Sequence, residues 1–296
     1  TSKLGRLITA MVTPFDREGQ VNYAQAQKLA STLIDNGSSG VLLCGTTGEA
    51  PTLTQGERLQ LFSEVKKFLG DSGHVMAGTG TYSTAESIEL SSKAEDIGVD
   101  SLLLTVPYYN RPSQDGLISH FNAVAGSTNL PCILYNIPSR TGTNMLAETT
   151  IELSNVENII GVKEASGDLD QIKQIIDDTT DEFYVWSGDD GFGLPIMKLG
   201  GYGVISVASH IVGIKLNKMI DLYLSGDVKQ ATIIHENLIP LINTLMTVAI
   251  NPTSIKYVLN EIGLDVGLPR LPLVEPSQES AKEIMSVVEN YQLDLS

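Results

Sequence analysis

Positive charge is scarce in this chain. Its 296 residues carry 19 Lys and Arg against 35 Asp and Glu, a formal net charge of -16. Such a surface repels nucleic acid and anionic membranes, so neither is expected as a partner. Small anionic substrates respond to the local field of a site more than to the global one and stay in play. Cysteine is nearly absent: Cys44 and Cys132 both lie in apolar strand-like runs. That pair excludes a disulfide scaffold, fits a reducing cytoplasm and reads as two small core residues. His74, His120, His210 and His235 show no metal-ligand spacing, and no nucleotide or flavin motif occurs. Chemistry without a metal or an organic cofactor is therefore expected. No apolar run reaches the ~18 residues that a spanning helix needs, and no signal-peptide pattern opens the sequence as it stands.

What is present is an ordinary globular composition, 42% hydrophobic and 18% charged, in a length that suits one large domain or two small ones. Apolar runs recur at Leu7–Val12, Gly40–Cys44, His74–Gly78, Ser101–Val106, Cys132–Asn136, Ile159–Lys163, Phe183–Ser187 and Val204–Val207. Most are continuous rather than alternating, as in strands covered on both faces. Amphipathic helical stretches such as Tyr23–Asn36, Gln55–Leu69, Thr84–Ile97 and Gln114–Ala125 separate them. Thr54 and Glu57 form a capping box at the start of the second of these, and Asn36-Gly37 closes the first. Eight strands alternating with helices, with no long linker, predict an α/β fold: a closed (β/α)8 TIM barrel over residues 1–221. An open doubly wound sheet is the structural alternative. Beyond Asp221 the strands stop, and Val228–Ala249, Pro252–Ile262 and Ser277–Tyr291 predict a helical appendage over 222–296.

In such a barrel the chemistry gathers where strands end and loops begin. Four polar clusters fall there: Gly45-Thr46-Thr47-Gly48-Glu49, Pro107-Tyr108-Tyr109-Asn110, the stretch from Tyr135 to Gly142, and Lys163-Glu164. A turn with two hydroxyl residues between glycines exposes N–H groups and hydroxyls together, which suits a small carboxylate. Lys163 ends a buried run, where its charge is costly. One reading has it snorkel to solvent or pair with Glu164. In the other it enters the barrel mouth, where desolvation lowers its pKa and makes it a nucleophile able to form a Schiff base with a ketone. Schiff-base chemistry needs proton shuttles. Tyr135, one strand over, is a candidate, with Thr46 or Thr47 and the Tyr108-Tyr109 pair available to share its proton. Arg140, in a turn-forming loop, offers a planar fork to a substrate carboxylate.

Taken in order, these clusters together with Gly161-Val162-Lys163-Glu164-Ala165, Ser187-Gly188-Asp189-Asp190 and Asn251-Pro252 resemble the dihydrodipicolinate synthase family of the pyruvate-dependent class I aldolases, over essentially the whole chain. The resemblance implies condensation of pyruvate with L-aspartate 4-semialdehyde to 4-hydroxy-tetrahydrodipicolinate, on the lysine and diaminopimelate route. It implies Lys163 as the imine-forming residue, with no other cofactor, and Tyr135 as the adjacent proton shuttle. Thr46 would link Tyr135 to Tyr109, which would arrive from a neighbouring subunit, with Tyr108 stacked at that interface. Thr47 would hold the pyruvate carboxylate and Arg140 that of the semialdehyde, while Gly188 and Ile205 line the site. A homotetramer built as a dimer of dimers is the family assembly.

Two departures stand out. In feedback-inhibited members the positions of Gln55, Arg58 and Tyr82 are commonly His, His and Asn and help to bind lysine, whereas Glu86 and Tyr108 match. Weak or absent inhibition by lysine is expected. Ser254 stands where a second proline is usual, which implies a local change only. Within the superfamily, N-acetylneuraminate lyase and the sugar-acid aldolases usually lack an arginine at the Arg140 position. A non-catalytic pyruvate-binding module would not need the full set of Lys163, Tyr135, Thr46 and Tyr109.

Overall fold

The structure, a computed structural model, describes residues 4–294. Eight parallel strands close on themselves in chain order: β1 Leu7–Ala10, β2 Gly40–Leu43, β3 His74–Gly78, β4 Ser101–Thr105, β5 Cys132–Asn136, β6 Ile159–Glu164, β7 Tyr184–Ser187 and β8 Gly203–Ser206. The seam is β1 against β8, with Leu7 opposite Val204 and Thr9 opposite Ser206. The TIM barrel is thus present and the open sheet is excluded. The helices between strands are α1 Tyr23–Asp35, α2 Gln55–Leu69, α3 Thr84–Ile97, α4 Gln114–Ala125, α5 Pro138–Thr141, α6 Ala147–Leu153, α7 Leu169–Asp178 and α8 Gly193–Lys198. After β8 come α9 Ser209–Leu224, α10 Val228–Thr247, α11 Thr253–Glu261 and α12 Gln278–Val288. The expected boundary at residue 221 falls inside α9, which packs on both β1 and α10.

The continuous apolar runs follow from the two faces each strand must satisfy. Ile8, Leu42, Met76, Leu103, Ile133, Trp186 and Ile205 fill the barrel interior. Their sequence neighbours, Leu7, Val41, Val75, Leu102, Leu134, Val185 and Val204, pack outward beneath the helices. Period-two alternation therefore survives as two separate apolar cores. The capping box forms as expected: the Thr54 N–H donates to Glu57 Oε2 (2.8 Å) and the Glu57 N–H to Thr54 Oγ1 (3.2 Å). Asn36 caps α1, and Gly37 follows at φ +100°.

Strand ends differ from the expected ones where a loop residue takes over. β1 stops at Ala10 because the Val12 N–H donates to His210 Nε2 rather than to a neighbouring strand. β2 stops before Cys44, whose φ of +53° turns the chain out of the sheet. β6 instead continues one residue further, through Glu164. Among the described residues no helix is long and apolar enough to cross a membrane.

Candidate active site

The register of β5 against β6 sets Tyr135 opposite Lys163 and Asn136 opposite Glu164. Alternation then sends the first pair into the barrel and the second pair out. The Glu164 carboxylate accepts from Asn136 Nδ2 (3.2 Å), the Ser166 N–H (2.8 Å) and Gln171 Nε2 (3.3 Å), all beneath the helical layer. It is not a partner for Lys163, and a snorkelling lysine is excluded as well, since Lys163 is 5% exposed. Its Nζ lies 4.2 Å from the centroid of the Tyr135 ring. Burial drives the Lys163 pKa down to about 7, with Asp190 opposing and Arg140 assisting. A substantial fraction is then the free amine at neutral pH, which nucleophilic attack on a ketone requires.

Gly188 forms one wall. A Cβ built there would meet Ala165 Cβ at 2.9 Å and Lys163 Cε at 3.1 Å, so only glycine leaves room for the lysine chain. Ile205, on β8, lies in the interior cluster with Tyr135 and Ala10. Tyr135 is itself buried, and burial pushes its phenol up to about 12. Hydrogen bonding from Thr46 is the main influence in the other direction, followed by the Arg140 charge. The phenol is therefore protonated at neutral pH and able to donate a hydrogen bond or a proton.

The β2 turn brings the hydroxyls in. It leaves the sheet through Cys44 and returns at Glu49 (φ +55°), with the Glu49 N–H closing onto the Thr46 carbonyl at 3.0 Å. Gly48 is required at its crossing, because a Cβ would sit 3.0 Å from the Cys44 nitrogen and 3.1 Å from the Met11 carbonyl oxygen. Thr46 lines a cavity of about 200 Å³ together with Arg58, Tyr108, Ile137, Arg140 and Thr141. Thr47 is buried, and its Oγ1 accepts from Asn251 Nδ2 at 3.0 Å. Arg140, on the short α5, donates from Nη2 to the Asn251 carbonyl oxygen at 3.2 Å and makes no ion pair among the described residues.

Two expectations have separate outcomes. Tyr108 packs edge-on against Tyr82, with ring centroids 5.3 Å apart, at the cavity wall. Tyr109 stands outside the single chain's site: it is 92% exposed and holds φ +74°. Asn251, which touches both Thr47 and Arg140, is the contributor that residue types alone did not assign, although Asn251-Pro252 is a recognisable signature. Its link to the site spans more than 200 positions and leaves no local pattern.

Among the described residues no group of three or more His, Cys, Asp and Glu is placed to hold a metal ion. Both thiols are buried and pushed up to about 12, as core cysteines rather than nucleophiles. A cavity of about 900 Å³ between residues 15–22 and 257–275 is lined by none of these groups.

The chain matches the model of the dihydrodipicolinate synthetase family over residues 3–291. It is 54% identical over 293 residues to a 4-hydroxy-tetrahydrodipicolinate synthase of Dehalococcoides mccartyi, covering 99% of this chain and 98% of that one. It is 52% identical over 284 residues to the enzyme of the same name from Moorella thermoacetica, covering 96% and 97%. Among solved structures, a dihydrodipicolinate synthase from Bacillus anthracis superposes with a TM-score of 0.96 at 42% identity, covering 99% of this chain and 100% of that one. One from Cyanidioschyzon merolae, solved with lysine bound, gives 0.95 at 42% identity, with 97% of each covered. Neither the fold alone nor the buried lysine alone distinguishes one barrel aldolase from another. With the full-length match to these relatives, the chain belongs to the dihydrodipicolinate synthetase family.

Proposed function

We propose that the chain condenses pyruvate with L-aspartate 4-semialdehyde to give 4-hydroxy-tetrahydrodipicolinate, acting as a class I aldolase-type lyase with no cofactor beyond its own lysine. The observation that carries this reading is the buried Lys163 amine lying 4.2 Å from the Tyr135 ring, in a chain 54% identical to an enzyme named for that product. The neutral amine attacks the pyruvate keto carbon, and the oxygen leaves as water once protonated, with Tyr135 as the donor. The resulting iminium draws electrons from the adjacent methyl carbon, which loses a proton to become the enamine carbon that attacks the aldehyde. The semialdehyde's amino group then displaces Lys163 from the former keto carbon, closing the ring and restoring the free amine.

Thr47 and the backbone N–H groups of its turn hold the pyruvate carboxylate, while Thr46 shares the Tyr135 proton. Gly188 and Ile205 bound the space around the imine. Arg140 takes the semialdehyde carboxylate; a charge-assisted pair of this kind contributes ~1.5–3 kcal/mol. Arg140→Ala is thus expected to raise KM for the semialdehyde by about 10- to 100-fold while leaving pyruvate imine formation in place. Unchanged kinetics for both substrates would remove Arg140 from that role. The test of the whole reading is the initial rate with both substrates, followed through a coupled reductase. A sialic-acid or sugar-acid aldolase would instead show no rate with the semialdehyde.

A second copy of the chain supplies Tyr109, in a homotetramer arranged as a dimer of dimers with Tyr108 at the tight interface. What supports this is the 92% exposure of Tyr109, beside a buried Tyr135 and a half-buried Thr46. Tyr109→Phe should lower kcat by about 100-fold, and normal turnover would remove it from the relay. Lysine is expected to inhibit weakly or not at all. Arg58 is 6% exposed and donates to the Ala50 carbonyl oxygen at 2.6 Å, placing a fixed cation on the cavity wall that disfavours a cationic amino acid. Half-inhibition at sub-millimolar lysine would overturn that expectation. Two buried free thiols and a biosynthetic reaction support a cytoplasmic location.

A further inference from the structure

Glu49 ends the turn that carries Thr46 and Thr47, yet it faces away from the reacting groups. Its backbone is left-handed, at φ +55°, a conformation that a residue with a side chain keeps only when its surroundings enforce it. The residue is 2% exposed, and both carboxylate oxygens are claimed from the C-terminal region. Oε1 accepts from Lys256 Nζ at 2.7 Å, and Oε2 accepts from the Arg270 N–H at 2.8 Å. Lys256, on α11, is fully buried and donates in addition to the Leu268 carbonyl oxygen at 3.2 Å. Its Nζ lies 4.1 Å from the centroid of the Phe15 ring, and the Arg270 guanidinium stands 4.4 Å from the same ring. Arg270 then binds the Glu57 carboxylate (2.5 and 3.1 Å) and the Thr52 carbonyl oxygen (3.0 Å), at the start of α2 and just beyond the turn.

A buried charge pair is an expensive way to join two segments, and apolar residues of the same volume often do as well or better for stability. Its distinguishing property is directional. It holds one carboxylate, and through it one backbone conformation, in a single geometry. The segment so held is the one that presents the carboxylate-binding hydroxyls.

We propose that Glu49 and Lys256 are positioning residues for keto-acid recognition, their buried pair holding the Thr46–Thr47 turn from the C-terminal helical region. This rests on the pyruvate reading above. Neither residue touches substrate, and both act through the turn. The second link from the same region, Asn251 to Thr47 Oγ1, bears on the hydroxyl itself, so the barrel's carboxylate site is assembled jointly by β2 and the appendage.

The test is the pyruvate concentration giving half-maximal borohydride-trapped adduct on Lys163, read with the thermal unfolding midpoint. Lys256→Met alone leaves a buried carboxylate unpaired and is expected to fold poorly. The informative variants are the double Glu49→Gln/Lys256→Met, with both charges removed, and Glu49→Gln, which keeps an acceptor for the Arg270 N–H and leaves a lysine that burial already lowers to about 8 free to become the neutral amine. In both, half-saturation is expected to rise by about tenfold, with labelling reaching the parental plateau and the double variant unfolding near the parental temperature. Parental half-saturation in either folded variant would overturn the proposal and leave the pair a purely structural contact. Absence of adduct in the parent protein would instead overturn the pyruvate reading, and this proposal with it.

Discussion

Lys163→Ala is expected to abolish turnover, by on the order of 10⁵-fold or more, because no other group in the barrel can become the electron sink. The neighbours at the imine position are a phenol, a hydroxyl and a guanidinium, none of which forms a covalent adduct with a ketone that stabilises a carbanion. The same variant is expected to fold. Burial holds the Lys163 pKa near 7, against an ordinary value of 10.5, so the folded state disfavours the proton that the unfolded chain carries. Between those two values the unfolded state binds more protons, and the contribution of this group to stability rises with pH across that window. Below about pH 7 the penalty is fully present. Removing the amine relieves it, so the unfolding midpoint of the variant relative to the parent should be highest at pH 7 and below and should fall toward pH 10. A variant with residual turnover above a hundredth of the parent's would contradict the covalent role.

Tyr135→Phe carries the second large effect. Losing a positioned proton donor costs typically ~10²–10⁴-fold in rate, and in the proposed cycle one phenol serves several transfers around one imine. The Tyr135 phenol is driven to about 12 by burial, so it enters the cycle as an acid. Its proton is expected to return through Thr46, the main influence opposing that upward shift, rather than to bulk solvent. Phenylalanine keeps the ring against which Lys163 Nζ rests, so the lysine should stay in place and its pyruvate adduct should still be trapped, more slowly. Turnover near the parental rate would show that another group, or water, moves the proton.

These roles were legible in unequal measure. Lys163, Tyr135 and Thr46 all lie at the ends of short apolar runs, and in a parallel barrel every such end faces the same rim. Reading the runs was therefore nearly enough to bring the three together. The register of β5 on β6 then made the outcome specific, since a slip of one residue would have turned Lys163 outward and Glu164 in. The sequence separation that hides Asn251 and Lys256 from such reading has a physical basis. Lys256 acts from α11 and Asn251 from the turn just before it, and a helical face announces its own burial, not the loop it will meet. The same holds for Glu49, a polar residue in a motif that looks like surface turn chemistry until Lys256 covers it. The boundary expected at residue 221 falls just before the end of α9, a helix that packs on both β1 and α10.

Whether Lys163 is a neutral nucleophile is read from the pH dependence of the initial rate of borohydride-trapped pyruvate adduct, with the labelled peptide identified by mass spectrometry. Label is expected on Lys163, at a rate that rises through an apparent pKa near 7, because the free amine is the attacking species. Label confined to a different lysine, or a rate on Lys163 that rises only toward the ordinary lysine range near ~10.4, would contradict it.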